Sequence, residues 1–272
     1  MSDPGAKPAE ERGEMPFLDH LEELRWRLVK SLVAIFVGVG AGYALVTHVD
    51  VIAFLKRPID PLLPEGKRLL FTSMMDPFII ALKLSLAIGL VVALPVLLYQ
   101  LWAFLRPALY QNERKVVLPV VFSGVLLFVI GAALGFYVVL PLALPILMGF
   151  ASQSLAPMIT ADSYFSLALA IVLCFGAVFE IPLLMFALIY MRLVSAAFLR
   201  KHRRTFIIIN AIASAVLTPG DLIVMTLIVM VPVQLFYELS IVMAVIMERR
   251  RARAERAAQE EVPPGIPAAG GA

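Results

Sequence analysis

A chain of 272 residues that is 61% hydrophobic and 16% charged, with a mean hydropathy of +0.92, has too little polar surface for a water-soluble domain. Its net charge of +3 is too small to suggest a nucleic-acid partner, so the placement of the 23 Lys and Arg carries more information than their total. The one cysteine, Cys174, lies in an apolar run and excludes a disulfide framework or a cysteine-based metal site.

Met1 to Met15 is polar and acidic, without the basic region and apolar core of a cleavable signal peptide, so the apolar segments themselves are expected to drive insertion. Phe17, Leu21, Leu24 and Leu28 then fall on one side of a helical pattern. Glu23 and Arg27 on another side form an i,i+4 pair in the favourable orientation. Asp19 with Glu22 reads as a capping box opening this helix. The pattern predicts an amphipathic helix along the membrane surface, serving either to fix topology or as a recognition surface.

Six apolar segments follow, at about 29–46, 78–101, 116–140, 165–190, 206–217 and 222–245. An even number puts both termini on one side. That side holds five Lys or Arg in the N-terminal part (Lys7, Arg12, Arg25, Arg27 and Lys30), three in the 102–115 break, five in the 191–205 break and five in the tail. The other side has only Lys56, Arg57, Lys67 and Arg68, so the positive-inside rule predicts cytoplasmic termini. The fifth segment has about twelve apolar residues and reaches roughly 18 Å against a hydrocarbon core of about 30 Å. It and the sixth are expected to form a short hairpin, which would place Gln234 and Glu238 near the cytoplasmic end of the sixth segment.

The spacings Gly38/Gly42 and Gly131/Gly135 allow close helix approach within the chain. Prolines at 95, 119, 141, 145, 182 and 232 are expected to bend or end helices. The loop from His48 to Met75, with three prolines and a short apolar piece at Val51–Leu55, predicts a packed cap rather than a free linker. After Glu248 the run Arg249-Arg250-Arg251 reads as an anchor to anionic lipid, and the Pro, Gly and Ala content beyond Ala257 reads as disorder. The domain expectation is a polar tail over 1–16, a six-helix membrane domain over 17–248, and a basic, then disordered, tail over 249–272.

Among groups that could carry chemistry, Glu180 stands within the fourth apolar segment, where a carboxylate costs at least about 2.5–3.5 kcal/mol unless it meets a cavity or a partner. A satisfied structural hydrogen bond is the alternative. Glu113 is an acid in an otherwise basic short break, and pairing with Arg114 or Lys115 would explain it as simply. Asp221, after Pro219-Gly220, is the expected N-cap of the sixth helix. His20, His48 and His202 are scattered, and no nucleophile, metal or phosphate-binding pattern occurs, so no catalytic residue, metal or cofactor is expected.

The motifs His20-Leu21-Glu22-Glu23-Leu24-Arg25-Trp26-Arg27, Pro95 to Phe104, Pro107-Ala108-Leu109-Tyr110 through Glu113-Arg114-Lys115, Phe179-Glu180-Ile181-Pro182 and Leu217-Thr218-Pro219-Gly220-Asp221 together resemble the TatC family. That family is the multispanning subunit of the twin-arginine protein translocase, and the resemblance runs from about Phe17 to Glu248. It implies an all-α integral membrane protein of the bacterial cytoplasmic membrane, with six transmembrane helices in a curved, cupped bundle. It also implies a non-enzymatic receptor for twin-arginine signal peptides of folded proteins, working with TatA and TatB in a multimeric complex and using the proton-motive force.

On this resemblance Glu23 and Glu113 are the acidic receptor positions, with Arg25 and Arg27 holding them. Glu180 is the intramembrane acid that meets the single-span partners. Pro58, Gln100, Phe104 and Asp221 also coincide with family positions and are assigned to shape. One departure is Met225-Thr226, shortly after the Thr218 turn, where members can carry a glutamine. The competing reading from the residues alone is a proton-coupled small-solute transporter using Glu180 as a relay, but the first three apolar segments supply almost no further polar groups for a path.

Overall fold

The computed structural model describes residues 11–63, 68–105, 117–149, 158–190, 193–217 and 223–260. These residues are almost entirely helical: α1 (Glu11–His48), α2 (Val51–Lys56), α3 (Asp76–Leu105), α4 (Val117–Leu134), α5 (Leu140–Gly149), α6 (Ala161–Phe179), α7 (Ile181–Tyr190), α8 (Ala196–Lys201), α9 (Arg203–Leu217) and α10 (Ile223–Glu260). Five stretches are long and apolar enough to cross a membrane: Leu21–His48, Asp76–Phe104, Leu118–Gly149, Ala161–Tyr190 and Thr226–Ala254. α9 has 15 residues and reaches only about 22 Å, in keeping with the short fifth segment expected.

Two expectations are corrected. Asp19 does not open a helix: α1 starts at Glu11 and runs unbroken for 38 residues, so the amphipathic stretch is continuous with the first apolar segment. The sixth helix is not short either. α10 also has 38 residues, because the Arg- and Ala-rich sequence after Met247 has good helix formers and no breaker before Glu260.

The chain divides into two compact units, one up to Glu180 and one from Ile181. In the first, α1 and α3 run antiparallel at very close range. A methyl group added at Gly38 or Gly42 would overlap the carbonyl oxygens of Gly89 and Ser85, and one at Gly89 would overlap the backbone of Gly38 and Val39. α4 meets α6 in the same way: Gly131 lies under the Phe175 carbonyl, Gly135 under that of Ile171, and Gly176 receives the Phe128 ring. Both glycine pairs therefore pack within the chain.

α4 widens into a π-helical turn at Gly135–Val139 before α5. Pro141 explains it locally, since a proline has no N–H to give the preceding turn and its ring pushes that turn open. The turn sets Phe136 against Phe54 of α2, with ring centroids 5.0 Å apart. This contact belongs to a core of Ile59, Ile80, Leu84, Phe136, Leu140, Leu144, Tyr164 and Phe165, closed by the Tyr164 hydroxyl donating to the Leu55 carbonyl at 2.5 Å. A parallel bridge pairs Leu70 with Thr160. The described part of the 48–75 connection is thus a packed cap, with Ile59 fully buried and Pro58 half-buried beside it.

In the second unit α10 packs on α7, α8 and α9. Its core is Ile189, Ala196, Leu199, Tyr237, Ile241 and Ala244. Tyr237 stacks on Phe206 at 3.8 Å between centroids and donates its hydroxyl to the Leu199 carbonyl at 2.8 Å. Asn210 is buried and donates to the Met230 carbonyl at 3.0 Å, tying α9 to α10 at mid-length.

The glycine contacts generate a prediction. Gly38→Val and Gly42→Val should each destabilise the purified protein by about 1–3 kcal/mol through overpacking against backbone, whereas Gly40→Val, which meets nothing within 4 Å, should change it by less than about 0.5 kcal/mol. Reversible unfolding in detergent checks this, and equal effects at all three positions would be the contrary result.

Candidate functional site

Glu23 and Arg27 are one turn apart on α1. Arg27 donates to Glu23 Oε1 from Nε at 3.0 Å and from Nη2 at 2.5 Å, so the guanidinium grips one carboxylate oxygen with two N–H groups. Its remaining nitrogen, Nη1, donates to Gln100 Oε1 on α3 at 3.4 Å. The Glu23 side chain is 33% exposed and that of Arg27 is 21% exposed, so the acid stays within reach of solvent while its orientation is fixed. Trp26 is exposed near it on the same side of α1, while Leu21, Leu24 and Leu28 are exposed on the helix's other side. The arrangement offers a positioned carboxylate on a helix whose other side is exposed and apolar.

The structure brings together three of the residues singled out in the sequence: Glu23, Arg27 and Gln100. Phe104 lies one turn beyond Gln100 on the last turn of α3, half-buried beside the buried Trp102. Arg25 is exposed and makes no ion pair among the described residues, so of the two arginines only Arg27 is found on an acid. Glu113 and Asp221 lie outside the described residues.

Glu180 stands between α6 and α7, and its N–H bonds the Ala177 carbonyl at 3.1 Å. The break has a local cause, since Pro182 lacks the N–H that would have met the Val178 carbonyl. Glu180 Oε1 is buried and has no hydrogen-bond partner among the described residues. A carboxyl oxygen in that setting is costly unless something reaches it.

Several polar contacts were not anticipated. Lys83 on α3 donates to Asp162 Oδ1 at 2.6 Å and to Ser166 Oγ at 2.9 Å on α6. The signal was available, as Lys83 is the one Lys or Arg inside the second apolar segment. Asp76, the first residue of α3, folds back on the preceding turn, accepting from the Thr72 and Ser73 N–H groups at 2.7 and 2.9 Å. In the second unit Arg203 pairs with Glu238 at 2.5 Å, and Gln234 Nε2 donates to Glu238 at 3.4 Å. Glu238 is therefore tolerated because it has a partner on α9, not because its helix is short. No cluster of His, Cys, Asp and Glu able to hold a metal occurs among the described residues.

Residues 19–232 match the family model described as Sec-independent protein translocase protein (TatC). The chain is 39% identical over 249 residues to the Sec-independent protein translocase protein TatC of Koribacter versatilis, covering 90% of this chain and 91% of that one. It is 37% identical over 246 residues to the Aquifex aeolicus protein of that name, covering 89% of this chain and all of the relative. With the Escherichia coli K12 protein the identity is 34% over 228 residues, covering 83% and 86% respectively. A crystal structure described as twin arginine translocase receptor TatC in DDM superposes with a TM-score of 0.73 at 35% identity, covering 83% of this chain and 99% of that one. The chain therefore belongs to the TatC family of Sec-independent protein translocase proteins, as a multi-pass inner-membrane component of a transport system rather than an enzyme.

Proposed function

We propose that this protein is the receptor subunit of a twin-arginine translocation system. It binds the signal peptides of folded proteins at Glu23 and Glu113 and recruits TatA and TatB for export driven by the proton-motive force. The observation that carries this reading is the hold of Arg27 on Glu23. One guanidinium already sits on this acid, gripping Oε1 with two N–H groups, which supports the reading that the carboxylate can also receive an arginine of an incoming peptide. Arg27, braced by Gln100, keeps the carboxylate in one rotamer. The exposed Leu21, Leu24 and Leu28 on the other side of the same helix, with Trp26 near the acid, give the apolar part of a signal an exposed apolar surface on α1.

The distribution of Lys and Arg supports cytoplasmic termini, which puts Glu23 and Glu113 on the side where cargo is made. Glu180 supplies the contact to a single-span partner, and the support for this is its buried, unpartnered oxygen at a helix break. The membrane domain over 17–248 carries these roles, within a multimeric complex of the TatBC type.

Two expected outcomes follow from these roles. Photo-crosslinking of a twin-arginine signal peptide in native membranes should fall at least about tenfold in Glu23→Ala and in Glu113→Ala, as removal of a charge-assisted contact implies, and a twin-lysine peptide should crosslink as poorly with the wild type. Crosslinking that is indifferent to both substitutions and to the lysine peptide would remove the receptor role. Glu180→Ala should leave peptide crosslinking intact while lowering copurification of the single-span partners and export of a folded reporter. Unchanged copurification and export would take Glu180 out of the partner contact.

A further inference from the structure

In the sequence Arg249-Arg250-Arg251 reads as one basic anchor, but the structure gives its members different work. Tyr237, Ile241 and Ala244 are buried on the inner face of α10, and Glu248 and Arg251 continue that face at helical spacing. Glu248 Oε1 accepts from the Ala196 N–H at 2.8 Å, at the start of α8. Arg251 Nη2 donates to the Tyr190 carbonyl at 2.7 Å, at the end of α7, with its guanidinium 5.8 Å from the Tyr190 ring centre. Both side chains satisfy groups that helix ends leave open. They also hold α10 in place where its apolar part ends.

The outer flank has a different composition. Val231, Leu235, Leu239, Val242 and Ile246 are all exposed and succeed one another at steps of three or four, which is a single stripe along the helix. The next members of that stripe are Arg249, Arg253 and Arg256. All three are exposed and make no ion pair among the described residues.

We propose that Arg249, Arg253 and Arg256 form a binding face for the headgroups of anionic phospholipids. The lipid that coats the apolar part of the stripe has its headgroups where the arginines begin, so one bilayer satisfies the whole face. A soluble acidic partner would meet only the last turns and leave the apolar stripe unexplained. Each guanidinium matches a phosphate with two parallel donors. Because Glu248 and Arg251 already fix the helix, presenting the arginines requires little further ordering. The inference uses only the membrane setting of the family and stands whether or not the protein is the signal receptor.

The test uses the full chain in nanodiscs of mixed phosphatidylglycerol and phosphatidylcholine. Spin-labelled versions of each lipid report, by electron paramagnetic resonance, the fraction held at the protein. Phosphatidylglycerol should be preferred by the wild type, and the preference should fall at least about fivefold in the triple Arg249→Gln, Arg253→Gln, Arg256→Gln variant, the ratio equivalent to ~1 kcal/mol for even one headgroup contact. The triple Lys variant should retain most of it, and circular dichroism should show all three proteins equally helical. No preference in the wild type, or equal preference in the Gln variant, overturns the proposal. So does a preference abolished by inorganic phosphate beyond the effect of chloride at equal ionic strength, since that would assign the arginines to a free anion.

Discussion

The close approach of α1 to α3 at Gly38, Gly42 and Gly89 is the interaction on which the acidic site depends. Antiparallel helices that touch backbone to backbone have one register, because a slip of a turn would move a side chain into the space that only glycine leaves. Arg27 lies eleven residues before Gly38, and Gln100 lies eleven residues after Gly89. The register that brings the two glycines together therefore also brings Arg27 opposite Gln100, three turns away, where the hydrogen bond is found. Had α1 slid by one turn, Arg27 would be displaced by about 5.4 Å, too far for its guanidinium to donate to the Gln100 amide oxygen in the same geometry. The orientation of Glu23 is thus fixed in part by glycines that never approach it.

Several charged groups within the described helices are met by another group of their own unit. Lys83 has Asp162 and Ser166, Glu238 has Arg203, and Glu248 and Arg251 have the open ends of neighbouring helices. The buried oxygens of Glu180 and Gln234 are exceptions. In a medium with no water to fill the gap, an unmet acceptor is a standing cost of several kcal/mol by transfer scales. Glu180 differs from Lys83 and Glu238 in that its buried oxygen has no such partner among the described residues.

The helical class, the number of apolar segments, the short fifth segment and the two glycine pairs are legible in the sequence, because each rests on periodicity or spacing along one helix. The Glu23–Arg27 pair is legible for the same reason, being a contact within a single turn. Contacts between helices are not. Nothing local says that Gln100 faces Arg27, or that Lys83 finds Asp162 seventy-nine residues later. The start of α1 is hidden because Asp19 and Glu22 satisfy a capping pattern and Gly13 and Pro16 before it read as breaks, yet the helix runs through them from Glu11. The length of α10 is hidden because a run of charge suggests the end of a helix, whereas Arg and Ala extend one. The run of three arginines shows the same limit at the scale of one residue: composition makes them equivalent, and only the helix face separates Arg251 from Arg249.

The two units fix their registers by different means. In the first, small residues let backbones meet and steric exclusion selects one alignment. In the second, no glycine lies on α9, and the alignment with α10 comes from polar groups: Asn210 to the Met230 carbonyl at mid-helix and Arg203 to Glu238 seven and eight residues further along. A short helix has reason to use the second method. With about 22 Å of length against a hydrocarbon core of about 30 Å, α9 can shift along α10 at little cost in apolar packing, since Leu, Ile and Val faces slide over one another readily. A hydrogen bond from a buried amide to a backbone carbonyl does not slide, because moving the partner by one residue leaves the buried amide unmet. The depth of the short helix is therefore held by Asn210 more than by the apolar residues that outnumber it.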